Sequence, residues 1–191
     1  MNRHQPTDQR TCLIRVEPYL AQYARIKFGC DRQTGGIRVP DSFSLYHCIW
    51  HAMAKWPLER WHVGVKRRVD APEGNLLIHL PNRRPEGGMS KNPLYWNYIS
   101  PRHAYYIGLE LKRLFDWDFH HFVDDLMAEH PGTTRIDAVW QFMKRWRLDQ
   151  LDTDVSETLV KNLQRHERAL YIAAGLKNHK KRKKCVKITT T

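Results

Sequence analysis

Between Cys12 and Phe28 the chain reads CLIRVEPYLAQYARIKF. Leu13, Ile14 and Val16 open it in near-alternation, and beyond Pro18 the apolar positions Leu20, Tyr23, Ala24 and Phe28 take a helical spacing that Gly29 ends. The following CDRQTGGIRVP reads as loop with one short strand. Asp41 is then placed to cap a helix whose Leu45, Tyr46, Ile49, Met53 and Trp56 share a face until Pro57 stops it. Residues 61–81 predict a hairpin: WHVGVKRRV, a turn from Asp70 to Gly74, and NLLIHLP.

Helices dominate beyond the Gly- and Pro-rich NRRPEGGMSKNP, the best candidate hinge. Ser100 before Pro101 is a strong helix start, since the serine oxygen accepts an orphan N–H and proline has none to lose at the first position. Tyr105, Leu109 and Leu111 carry that helix to about Leu114. Phe115, Phe119, Phe122, Val123 and Leu126 continue an apolar stripe up to Pro131 and Gly132, giving two helices or one bent helix. Ile136, Val139, Trp140 and Met143 mark another, ending near Arg147. After the connector LDQLDTD, Asp154 with Glu157 makes an acidic variant of the capping box for a last helix. In that helix Leu159, Leu163 and Leu170 lie near one face, Lys161, Gln164, Arg165 and Arg168 lie on another, and Gly175 is a natural terminator.

The fold class predicted is α+β and predominantly helical: a small N-terminal β-hairpin region followed by a C-terminal helical bundle. Its parts are an α+β stretch over 1–92, a helical stretch over 93–176 and a disordered basic tail over 177–191. The last two helices have the layout of a helix-turn-helix, although a connector of seven residues exceeds the three to four of the tight DNA-binding turn.

Composition narrows the class. The 191 residues are 41% apolar, with seven Trp, eight Tyr and six Phe, enough large side chains to bury a core. Apolar runs are too short to span a bilayer, and MNRHQPTDQR offers no apolar core for a signal peptide, so a cytoplasmic protein without a membrane partner is expected. Cys12, Cys30, Cys48 and Cys185 lie too far apart in sequence for a zinc ribbon or a redox pair, and read as free thiols.

Charge changes the picture more. The net charge of +12 divides into +8 over residues 1–109, −5 over 110–160 and +9 over 161–187. The late block includes KNHKKRKKCVK, with seven bases and no acid, whose self-repulsion argues against packing and whose density suits a phosphate backbone. Nucleic acid, double-stranded DNA in particular, is the partner this predicts; a protein partner or a second copy stays open. The residues expected to contact it are Lys161, Gln164, Arg165 and Arg168 on the last helix and Lys177, Lys180, Lys181, Arg182, Lys183 and Lys184 in the tail.

Catalytic patterns are weaker. His47, Cys48 and His51, with Cys30 within a loop's reach, have partial zinc spacing but no signature fourth ligand. Asp116, Asp118, His120, His121, Asp124, Asp125 and Glu129 could hold Mg²⁺ or Mn²⁺ for phosphodiester cleavage, yet they flank a phenylalanine stripe and read more simply as a charged outer face. The His-apolar-His triplet of replication initiators is missing: His62 and His79 stand alone. His166 and Arg168 precede Tyr171 too closely for a tyrosine recombinase, and no phosphate-binding Gly loop occurs. Tyr95, Trp96, Tyr98, Tyr105 and Tyr106, among Lys91, Arg102 and His103, could stack unpaired bases, but their place at helix starts favours core. No catalytic residue, metal or cofactor is assigned.

The strings VEPYLAQYARIKFG, VPDSFSLYHCIWHAM and YWNYIS resemble uncharacterised small basic proteins of phages and integrative elements in Bacteroidetes-like bacteria, over roughly residues 13–170. The resemblance implies a DNA-binding accessory or regulatory protein of a mobile genetic element and transfers no active-site residue. The competing functions are a metal-dependent nuclease built on the His120, His121, Asp124 and Asp125 group, and a protein-interaction module using the acidic middle and the aromatic cluster.

Overall fold

A computed structural model describes residues 11–55, 74–81, 96, 98–152 and 154–175. The architecture is α+β and mostly helical, with a small N-terminal sheet followed by a helical bundle. β1 (Thr11–Arg15) pairs antiparallel with β3 (Asn75–His79), in a register that sets Leu13 against Leu77 and Ile14 against Leu76. On the opposite edge of β3 the Ile37 N–H donates to Leu77 O at 2.8 Å, and His79 N–H donates to Ile37 O at 2.9 Å. The strand expected over NLLIHLP is therefore present. The hairpin arm WHVGVKRRV and the hinge at 82–93 lie outside the described residues.

α1 (Pro18–Phe28) begins at the proline and ends at Gly29, whose φ of +73° favours a residue without a Cβ. α2 (Ser44–Ala52) starts later than the sequence suggests: Phe43, not Asp41, is its N-cap, and no side chain caps it. It also ends earlier, because Met53 leaves the helix for the two-residue strand β2 (Met53–Ala54), paired with β4 (Tyr98–Ile99). The pairing gives the backbone after α2 a partner, and Met53 remains buried.

α3 (Pro101–Glu129) is one continuous helix of 29 residues, where the apolar spacing alone allows two helices or one bent helix. Ser100 caps it as expected, its Oγ accepting from His103 N–H at 3.2 Å. Its buried positions Ile107, Leu111, Phe115, Phe119 and Val123 recur every four residues, so the stripe never breaks. Tyr105 and Leu109 fall off that stripe and are exposed, which corrects the phase assigned to the first half of the helix.

α4 (Arg135–Arg145) follows, then a 3₁₀ turn (Leu148–Gln150) and α5 (Ser156–Ala173). The reciprocal capping box is at Thr134 and Asp137 of α4, not at α5. At α5 the expected box does not form. Asp154 instead accepts from Ser156 N–H at 2.8 Å, while Glu157 turns to Lys161. Leu159 and Leu163 are buried, but Leu170 is 53% exposed because the last turn of α5 runs past the core.

The helices meet at an aromatic centre. Phe142 of α4 lies 4.9 Å from Phe119 and 5.5 Å from Phe115 between ring centroids, both edge-on. Tyr23 of α1 packs edge-on against Phe115 at 5.1 Å and against Trp146 at 4.8 Å. Its hydroxyl donates to Asp118 Oδ2 at 2.6 Å, and Lys27 Nζ closes on the same oxygen. Burial first, and this carboxylate second, raise the tyrosine pKa far above its ordinary value. Asp118 is thus a structural anchor between α1 and α3.

Candidate nucleic-acid interface

On α5 the exposed residues Lys161, Gln164, Arg165 and Arg168 recur at i, i+3, i+4 and i+7, which places them along one stripe. The buried Leu159 and Leu163 hold the opposite side of the helix against the core. Lys161 Nζ is 2.7 Å from Glu157 Oε1, an exposed pair that leaves its charge loosely held. Glu167, the acid nearest in sequence to the arginines, is paired with Arg135 of α4. Arg165 and Arg168 have no carboxylate partner among the described residues. Gln164 also stands at the rim of a groove of about 520 Å³ that runs between α4 and α5, beside Arg135 and Ile136. Lys177, Lys180, Lys181, Arg182, Lys183 and Lys184 lie outside the described residues.

Arg145 does not extend the stripe by an ion pair; its guanidinium sits over the Phe122 ring at 5.5 Å and the Trp146 ring at 5.9 Å. Ten residues separate α4 from α5. The basic face therefore belongs to α5 itself, and a tight helix-turn-helix turn plays no part in it.

A polar contact also joins α5 to α3. His120 and His166 stack with centroids 3.7 Å apart and planes inclined by 13°. His120 Nε2 lies 2.9 Å from Asn162 Oδ1, and the Asn162 amide donates to Asp116 Oδ1 at 2.8 Å. Asp116 also receives Lys112 Nζ at 2.8 Å and 2.9 Å. Asn162 had no signal in the sequence, because its partners lie more than forty positions away.

The same contacts describe the acidic group. Asp116 is bound to Lys112 and Asn162, Asp118 to Tyr23 and Lys27, and His121 Nδ1 lies 3.0 Å from the Trp117 carbonyl. Among the described residues no three His, Cys, Asp or Glu side chains gather as a metal site, and this covers His47, Cys48 and His51. Burial pushes the Cys12 and Cys48 thiols up, which keeps them protonated at neutral pH.

Two histidines make stability depend on pH. His79 is buried, with Nε2 2.8 Å from Thr34 Oγ1, and Gly36 leaves room for its ring: a Cβ there would meet it at 3.0 Å. Burial, then the Arg38 charge, hold its pKa below the ordinary histidine value; burial, then the His166 imidazole, do so for His120. Between those lowered values and ~6.5 the unfolded chain binds more protons than the native one, so stability falls as pH drops through that window. Thermal melts from about pH 7 down to about pH 5 should show Tm decreasing, with a flatter slope in a His79→Gln, His120→Gln protein. A Tm constant across that range would contradict this account.

No protein-family model, curated protein or solved structure matches the chain.

Proposed function

We propose that the protein binds DNA, with the exposed face of α5 and the basic tail contacting phosphates, and that it serves as an accessory or regulatory factor of a mobile genetic element. The observation that supports this reading is the single stripe of Lys161, Gln164, Arg165 and Arg168, whose two arginines have no carboxylate partner among the described residues. Guanidinium groups held on a rigid helix and free of competing acids exchange their counterions for phosphate oxygens at little ordering cost. The tail adds cations without requiring a fixed geometry, which suits sequence-independent attachment to a duplex.

The test is a gel-shift titration of a DNA duplex with the Arg165→Ala, Arg168→Ala protein. Loss of two phosphate contacts should weaken binding roughly tenfold near physiological salt and make the log–log salt slope shallower by about 2. Circular dichroism should be unchanged, since both side chains are exposed. Unaltered affinity and slope would remove α5 from the interface.

A further inference from the structure

The first three turns of α3 expose a surface that the α5 reading does not use. Opposite the buried Ile107 and Leu111, the helix presents Arg102, Tyr105, Tyr106, Leu109 and Arg113 to solvent. Tyr105 is 64% and Tyr106 44% exposed, so the expectation that these aromatics join the core does not hold for them. Their ring centroids are 5.9 Å apart with planes at 60°, which offers two separate faces. The Arg102 guanidinium lies 5.9 Å from the Tyr106 ring centroid. Beside Tyr105 opens a cavity of about 530 Å³, walled by Leu109, Lys112 and Gly108 of α3, by Arg15 at the end of β1 and by Val16 after it.

The charge on this surface decides between occupants. Arg102 and Arg113 lie on it, and Arg15 and Lys112 line the cavity beside it. Of the acids, Glu17 lies on the cavity wall, Glu110 is held by Ser44 at 2.6 Å and Arg113 at 3.4 Å, and Asp116 is held by Lys112. Arg15 and Arg102 have no carboxylate partner among the described residues. A neutral proline-rich peptide would use the rings but not the cations, and a duplex would use the cations but not the rings, because its bases are stacked inside. An unpaired strand uses both: bases lie on tyrosine faces while phosphates meet arginine.

We propose that the N-terminal third of α3, with Arg15, is a stacking platform for single-stranded DNA, separate from the α5 face. The experiment is fluorescence anisotropy of the full chain with a labelled oligo-dT of about 12 nucleotides, an abasic strand of equal length, and a duplex. Tyr105→Ala, Tyr106→Ala should weaken oligo-dT binding roughly tenfold, leaving the abasic strand and the duplex unchanged. Tyr105→Phe, Tyr106→Phe should stay within about twofold of the original, because stacking needs the ring and not the hydroxyl. Arg102→Glu, which leaves both rings in place, should also weaken oligo-dT binding. Oligo-dT affinity unchanged by the alanine pair, or a loss shared equally by all three ligands, would overturn the platform. The duplex arm keeps this result distinct from that of the α5 arginines.

Discussion

Replacing Phe142 by alanine is expected to lower the free energy of unfolding by about 3–5 kcal/mol. The ring is fully buried and meets Phe115, Phe119, Phe122 and Trp146, so its loss opens a void shared by α3, α4 and the connector. Large rings on a long helix have little freedom to collapse into such a space, which places the cost toward the upper part of the range for core truncations. Urea denaturation followed by tryptophan emission would measure it, with Trp146 reporting from 6.1 Å away. A change below about 0.5 kcal/mol, the size typical of surface substitutions, would mean that the aromatic centre is not the core of this protein.

Deleting residues 177–191 is expected to produce the largest change in binding. The segment carries seven Lys and Arg and no acid. If each cation displaces about one counterion, the slope of log affinity against log salt should become shallower by up to about 6, and duplex affinity should fall by orders of magnitude in dilute buffer. Folding should be unaffected, since the buried residues of α5 end at Leu163. Gel-shift titrations at several salt concentrations read both quantities. Equal affinity of the truncated and full chains at low salt would show that the tail has no part in attachment.

Legibility in the sequence followed the range of the interactions. Signals written in adjacent residues were readable: Pro18 and Gly29 bound α1, Ser100 before Pro101 starts α3, and the polar face of α5 was traceable from spacing. Features decided by distant partners were not. The partner of β3 is β1, sixty or more residues earlier, and nothing in NLLIHLP specifies it. Asn162 joins α3 to α5 through contacts that no local pattern encodes. Local composition leaves the phase of α3 open because Tyr105 and Leu109 are large and mainly apolar, as Ile107 and Leu111 are; counting back by fours from Phe115 separates them. The carboxylates of α3 resembled a metal cluster in one dimension, yet successive residues point about 100° apart around a helix, and lysine and tyrosine from α1 reached Asp118.

The unbroken length of α3 has a mechanical consequence. At 1.5 Å per residue it is a rod of about 43 Å, and Tyr106 near one end is about 21 Å along the axis from His120, where α5 is fastened. No linker intervenes along α3, so under the two proposals the surfaces would act like the jaws of a fixed calliper: an object gripped by one would meet the other only if its own dimensions suited that spacing.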